Sequence, residues 1–372
     1  MKIGLIGAGR LGICLALLIG KAGYSVLASD VREDYISGLQ NKELSTNEPG
    51  VLDLLRTSWM VEFTTDNSRV IDECDIIFTL VATPSLEDGS YDVNAVWKVV
   101  DDFKNASGVL KGKSLVVGCT TNPGDCDLFQ EQLEPLGVDI YYNPEFIAQG
   151  SIVNDLQNAD MVLLGGQGEH SIVLNDIYEK IQYGYTVPSI HFMSTRAAEL
   201  TKIALNCFLT TKISYANQVG QVMIKDGMED EIDSVLGAIG SDSRVGNKYL
   251  GFGFGFGGPC FPRDNRAFAA YAQGVGVQTA IGETTDNFNN EHTDFLRDYY
   301  INKNKDELPF CFSYLTYKKG IDILTESRPY DLALSLLEEG YKVYCIDNTC
   351  SDQVDDRIIL SEPKEDVCWI DL

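Results

Sequence analysis

The chemistry this chain could do concentrates on one stretch, Gly251-Phe-Gly-Phe-Gly-Phe-Gly-Gly-Pro-Cys-Phe-Pro-Arg-Asp264. Five glycines fall within eight residues and lead to a single thiol, Cys260. Glycine at this density excludes a stable helix or a central strand, because each one leaves the backbone too free. Such a loop brings main-chain N–H groups close to a ligand and delivers one thiol to a fixed place, which makes Cys260 a candidate nucleophile. The alternative is a turn with a buried, inert cysteine, since free cysteines mostly behave as small hydrophobes. Upstream, Lys202 and Asn206 lie four residues apart in a proline-free stretch of helical spacing, so they share a face. Lys202 is either a functional cation or an ordinary solvated helix lysine.

A third constellation opens the chain. Gly7-Ala-Gly9-Arg10-Leu11-Gly12 follows the apolar run Lys2–Ile6 and precedes an apolar helical pattern over 13–21. In this G-x-G-x-x-G, Gly7 makes the tight turn, Gly9 admits a pyrophosphate and Gly12 lets helix pack on strand. A second strand over 24–28 leads to Asp30, 18 residues after Gly12, where a carboxylate takes both ribose hydroxyls of NAD. Asp30 would repel a 2′-phosphate and so favours NAD over NADP; Arg32, two residues on, pulls slightly the other way.

The elements that must position these residues form an α/β chain. Strands are expected over 75–81, 114–118, 138–142 and 161–165, with polar or proline-marked ends at Thr83-Pro84, Thr121-Asn-Pro123 and Asn143-Pro-Glu145-Phe146. Ligands of open α/β sheets sit beyond such carboxyl ends, although Pro, Asn and Gly are also ordinary turn formers. One long helix is expected over 192–226, then helices over 229–239 and 265–273, with the glycine loop between the last two. A further β/α/β unit is expected from strand 310–315, helix 330–339 and strand 342–346, with a last strand at 367–370; it lacks G-x-G-x-x-G. At 372 residues the chain should divide two or three ways. The division expected is a dinucleotide domain over 1–190, a helical domain with the long connector and the Cys loop over 191–285, and a second Rossmann-like domain over 286–372.

Composition removes several classes of function. A net charge of −26 argues against nucleic-acid or anionic-membrane surfaces, though not against a small anion held by local donors. Ten cysteines without paired spacing, no secretory pattern after Met1-Lys2 and no long apolar run lead us to expect free thiols and a cytoplasmic protein. His170, His191 and His292 fit no metal-ligand spacing, so no metal site is expected.

These motifs, with Glu-Leu-Thr-Lys202-x-x-x-Asn206, Arg244-x-Gly-Asn-Lys-Tyr249-Leu250 and Tyr-Lys318-x-Gly-x-Asp, resemble in order and spacing the UDP-glucose branch of the nucleotide-sugar 6-dehydrogenases, over residues 1 to about 347. The resemblance implies an NAD-binding Rossmann domain, a long central helix and a C-terminal Rossmann-like UDP-binding domain, in a homodimer that oxidises UDP-glucose. It implies that Cys260 is the nucleophile at C6, that Lys202 and Asp264 handle charge and protons there, and that Asn206 holds substrate and a water. Glu145 matches the base of thioester hydrolysis and Thr121 a neighbour that holds water. Glu145, Phe146, Ile147, Lys202, Asn206, Tyr249, Leu250, Gly251, Gly253, Gly257 and Lys318 would line the substrate, and Arg244 would reach it across a subunit boundary. Gly7, Gly9, Arg10, Leu11, Gly12, Asp30, Thr83, Thr121 and Arg263 would meet the cofactor. Chemistry supports the resemblance: a second oxidation of an aldehyde needs a hydrate or a thiohemiacetal, and a thiolate provides the latter. Three positions depart from the pattern. Pro259 precedes Cys260 in place of Ser or Ala, Gln149 replaces a glutamate, and Ile323-Leu-Thr325 stands where Asp-x-Arg is usual, with Arg328 a nearby substitute. Arg-x-Gly-Asn-Lys-Tyr-Leu favours UDP-glucose over GDP-mannose, and the lack of His after Gly-Gly argues against N-acetylmannosamine.

Overall fold

The computed structural model describes residues 1–147, 149–187 and 189–372. The chain divides into two compact units, Met1–Lys202 and Ile203–Leu372.

In the first unit, β1 (Lys2–Ile6), β2 (Ser25–Ser29), β3 (Val61–Thr64), β4 (Ile76–Thr79), β5 (Ser114–Val117), β6 (Asp139–Tyr142), β7 (Val162–Gly165) and β8 (Ile190–Met193) form one sheet in the order β3-β2-β1-β4-β5-β6-β7-β8. Every pairing is parallel except β6 with β7, which is antiparallel. Helices cover both faces, so the central strands are apolar throughout rather than alternating. Ile3 and Leu5 of β1 join one core with Leu15 and Leu18 of the helix Arg10–Lys21. Ile6 of β1, Ile77 of β4 and Leu115 of β5 join the opposite core with Phe103 and Phe129. The strand order reverses between β1 and β4, and the crevice beyond their carboxyl ends is the place such a sheet offers a ligand.

The expected strands are all present, β1 as expected, β2 shifted by one residue and the others shortened by one to three, and two more, β3 and β8, extend the sheet at its edges. Both are short and only partly apolar, with burial confined to one residue of β3, which is why periodicity passed over them.

The second unit holds a smaller, wholly parallel sheet of β9 (Phe310–Phe312), β10 (Val343–Cys345), β11 (Ile359–Leu360) and β12 (Cys368–Ile370), in the order β11-β10-β9-β12. The helix Arg328–Glu338 packs on it through Leu332, Ala333 and Leu336. The long helix Thr195–Lys225 runs unbroken through the boundary between the units, close to the 192–226 expected. Two helices differ from expectation. The one expected over 265–273 begins at Phe261, because Pro262 sits in its first turn, where a missing N–H costs nothing. The helix Ala280–Lys303 was not anticipated; its buried face carries Thr285, Asn289 and His292 before the apolar Leu296 and Tyr300. Among the described residues, no helix is long and apolar enough to cross a membrane.

Candidate active site

The glycine fingerprint has the geometry its spacing predicts. Gly7 has φ +96°, and a Cβ there would lie 2.6 Å from the Leu80 carbonyl oxygen. A Cβ on Gly12 would lie 2.1 Å from the Gly7 carbonyl oxygen, so helix and turn touch only because neither carries a side chain. At Gly9 nothing lies within 4 Å of such an atom, and the helix Arg10–Lys21 starts there; a diphosphate can approach its N-terminus. Asp30 follows β2 and is 9 % exposed. Arg32 grips it through Nε at 2.8 Å and Nη2 at 2.9 Å and stacks on the Tyr35 ring. Burial would raise the Asp30 carboxyl, but the Arg32 side-chain and backbone donors outweigh that and hold it below the usual range. A permanent anion at this point could accept ribose hydroxyls and would repel a phosphate. Asp30→Ala is therefore expected to weaken NAD roughly 10- to 100-fold, the worth of one charge-assisted hydrogen bond. It also releases Arg32 toward a 2′-phosphate, so KM for NADP should fall; steady-state kinetics with both cofactors tests this, and an unchanged NAD/NADP ratio would count against the assignment.

The carboxyl ends of β5 and β6 supply the next residues of the first unit. Thr121 is fully buried, and its hydroxyl donates to Glu199 Oε1 at 2.8 Å. Glu199 also accepts from the Gly124 and Cys126 amides at 2.6 and 3.0 Å, tying the loop after β5 to the start of the long helix. Burial pushes the Glu199 carboxyl up to about 7 against these three donors. Glu145, after β6, has Oε1 2.8 Å from the hydroxyl of the buried Tyr178; burial pushes its carboxyl up to about 7, against the charge of Lys202. Lys202 is 8 % exposed, with Nζ 4.8 Å from the centre of the Phe146 ring, so it is not a solvated lysine. Ile147, on the loop after β6, is half-buried, and Thr83, on the loop after β4, is buried. Gln149 accepts from Arg10 Nη1 at 3.0 Å, so the residue that replaces a glutamate meets the fingerprint loop.

The second unit carries the thiol. Cys260 is the only exposed cysteine of the ten and sits on the N-cap of the helix Phe261–Gly274. The positive end of that helix favours a thiolate. Asp264, one turn on, is 1 % exposed and hydrogen-bonded by the Asn206 amide, so these two candidates meet. Arg263 turns back to the Pro259 carbonyl at 3.2 Å.

The glycine loop is pinned by buried polar side chains. Asn217 accepts from the Gly253 amide, His292 Nε2 lies 2.8 Å from the Gly253 carbonyl, and Asn289 donates to the Phe256 carbonyl at 2.8 Å. Arg328 also reaches the Phe256 carbonyl, at 3.3 Å, and the Gly258 amide donates to the Thr325 carbonyl. A Cβ on Gly257 would lie 2.2 Å from the Glu326 carbonyl oxygen, and one on Gly258 would lie 2.6 Å from the Tyr317 ring. Gly251 and Gly253 keep space beside them. Tyr249 has φ +61° and packs edge-on to Phe261, while Leu250 is buried. Arg244 is exposed and paired with Asp242, and Lys318 is exposed.

His292 is fully buried, and burial lowers its pKa from 6.5 to about 4. A base depressed in the folded state contributes stability above its unfolded pKa and loses it as pH falls from about 6.5 toward about 4, at about 1.4 kcal/mol per pH unit. Chemical unfolding at a series of pH values should show this slope for the second unit, and His292→Gln should flatten it.

Sequence reasoning did not find Tyr178, Glu199, Asn217 or Asn289. Glu199 lies three residues before Lys202 in the Glu-Leu-Thr-Lys motif; the others had no local signal, since each acts on groups far away in sequence.

Comparison with known proteins agrees with this layout. Residues 1–182 match the NAD binding domain of the UDP-glucose/GDP-mannose dehydrogenase family, and residues 196–291 match its central domain. A UDP-glucose 6-dehydrogenase of Haloferax volcanii is 29% identical over 96% of this chain and 85% of its own length. A UDP-glucose dehydrogenase structure from Pyrobaculum islandicum superposes with a TM-score of 0.83 at 26% identity, covering 97% of this chain and 86% of the other. A UDP-D-ManNAc dehydrogenase from Pyrococcus horikoshii shares the fold, with a TM-score of 0.79 at 18% identity over 93% of this chain and 84% of the other. The chain belongs to the UDP-glucose/GDP-mannose dehydrogenase family and is an NAD-dependent nucleotide-sugar dehydrogenase.

Proposed function

We propose that the substrate is UDP-glucose and that the chain oxidises its C6 alcohol to the carboxylate of UDP-glucuronate. The observation that carries the chemistry is Cys260, an accessible thiol on a helix N-cap beside a loop with room along Gly251 and Gly253. NAD, when bound, accepts the hydride that leaves C6 in each of two oxidations. After the first, Cys260 adds to the aldehyde as a thiolate and forms a thiohemiacetal. The second hydride leaves that carbon, giving a thioester on Cys260. Water then adds, the C–S bond breaks, and the thiolate is regenerated as the carboxylate departs. Lys202 stabilises alkoxide charge, Asn206 and Asp264 act as a pair near C6, and Glu145 takes a proton from the attacking water with Thr121 beside it. On this reading residues 1–190 hold NAD, 191–285 carry the thiol, and 286–372 hold UDP with Lys318. The sugar is favoured by the likeness to UDP-glucose dehydrogenases of Haloferax volcanii and Pyrobaculum islandicum.

The test is NADH absorbance with purified protein, NAD and a panel of nucleotide sugars. Two NADH per UDP-glucose support the proposal. Turnover only with GDP-mannose or a UDP-N-acetylhexosamine moves the substrate, and binding without NADH makes the chain a non-catalytic binder.

A homodimer built on the long helix is part of the proposal. Phe208, Tyr215 and Val222 stand exposed on it at seven-residue intervals, beside a groove of about 370 Å³ lined by Val219, Met223, Met228 and Val235. Exposed apolar stripes of this kind mark association surfaces. Light scattering should show a dimer; a stable, active monomer would exclude it.

A further inference from the structure

The hydrogen-bond geometry behind Glu145 fixes where a proton must sit. Tyr178, on the helix Ser171–Gln182, is 1 % exposed, and its hydroxyl touches both Glu145 Oε1, at 2.8 Å, and Asn143 Oδ1. A phenol has one hydrogen to donate. Asn143 decides which neighbour receives it. Its Nδ2 donates to the Leu163 carbonyl at 3.0 Å, so its Oδ1 faces Tyr178 and can only accept. Turning the amide over would set oxygen against oxygen at Leu163. Tyr178 keeps its own proton, because burial raises its pKa well above the ordinary value. Its hydroxyl therefore donates to Asn143 and presents only a lone pair to Glu145. A carboxylate at Glu145 would face that lone pair unpaired, whereas a carboxylic acid would donate to it.

We propose that Glu145 rests as a neutral acid, held in that form by an Asn143–Tyr178 relay, and that Tyr178 and Asn143 are positioning residues for its proton. Each link of the relay then pairs one donor with one acceptor: Glu145 to Tyr178, Tyr178 to Asn143, Asn143 to the Leu163 carbonyl. The titratable groups facing Glu145 are Tyr178 and, from the long helix, Lys202. Lys202 favours the anion, but its Nζ sits over the Phe146 ring, and burial, the larger influence, favours the acid. The role of this proton in catalysis rests on the reading of Glu145 given above: as the base of thioester hydrolysis, it must release the proton before it can receive one from water.

Infrared difference spectra of the full chain, without NAD or nucleotide sugar, test the relay independently of that reading. At about pH 6 the wild type should show the carbonyl stretch of a protonated carboxyl that Glu145→Gln lacks. Absence of an Glu145-dependent band would overturn the proposal. In Tyr178→Phe the acid loses its acceptor, so the midpoint at which the band disappears should fall by about one pH unit; an unchanged or higher midpoint would overturn the relay. Should Tyr178→Phe not fold, Glu145→Gln decides by thermal melting at the same pH. Its amide donates to Tyr178 as the acid does, so the melting temperature should hold, and a marked drop would show that the native group is an anion. Catalytic failure with UDP-glucose, with the band present, would remove the substrate reading and leave the relay standing.

Discussion

Cys260→Ser is expected to abolish turnover and leave nucleotide binding intact. The thiol is exposed on an N-cap, where the helix dipole favours an anion by roughly 0.3–1 kcal/mol. A serine hydroxyl in the same place stays protonated at neutral pH, and a hemiacetal on oxygen gives an ester rather than a reactive thioester. The predicted fall in kcat is about 10³-fold or more, the scale on which enzymes lose rate when a covalent nucleophile is removed. Binding of NAD and of the nucleotide sugar, measured by calorimetry, should change little, because the glycine loop is held by Asn217, His292 and Asn289 and not by the thiol. A selective alkylation experiment gives the same answer chemically. Cys14, Cys119, Cys207 and Cys345 are buried, and burial pushes each thiol up to about 12. Iodoacetamide at neutral pH should therefore modify Cys260 first, with loss of activity in step. A serine variant that turned over at near wild-type rate would sink the covalent mechanism.

Lys202→Met should cost about 10²- to 10³-fold in kcat, the usual loss when one preorganised donor to a developing oxyanion is removed. Methionine keeps the length and apolar stem of the side chain, so packing against Phe146 survives and the charge alone is lost. The same substitution has a second signature. Lys202 draws the Glu145 carboxyl down from the value burial sets, so its removal should move the acidic limb of the pH–rate profile upward. A lysine that served only packing would change neither kcat nor that limb.

Much of this was legible because some functions need residue types at fixed local spacing. Gly7, Gly9 and Gly12 must surround one turn, and Asp30 must end the next strand, so the dinucleotide site is written within thirty residues. Cys260 and its glycines are contiguous for the same reason. The helix Ala280–Lys303 escaped notice because the middle of its buried face, spaced as a helix requires, is filled by Thr285, Asn289 and His292, with Leu296 and Tyr300 following only toward its end. Burial of polar groups is affordable only where each has a partner; those of Asn289 and His292 are carbonyls of the glycine loop 33 and 39 residues upstream, and Thr285 meets the Thr211 hydroxyl. No local pattern announces such a pairing. Tyr178 was hidden in the same way, as an aromatic on an apolar helix face whose hydroxyl alone matters. The start of the helix at Phe261 was misplaced because Pro262 reads as a breaker, although proline in a first turn is favourable.

The pinned glycine loop bears on how binding is divided between heat and disorder. Five glycines in eight residues describe, in a free chain, the most mobile of segments. Here the segment is fastened at Gly253, Phe256 and Gly258, and three of its glycines, Gly255, Gly257 and Gly258, are packed too tightly to accept even a methyl group. Its conformational freedom is surrendered when the second unit folds, so little is left to lose when a ligand arrives. A nucleotide sugar should then bind with a small entropic penalty from the protein, and the Gly253 and Gly258 amides should exchange slowly with solvent even in the empty protein.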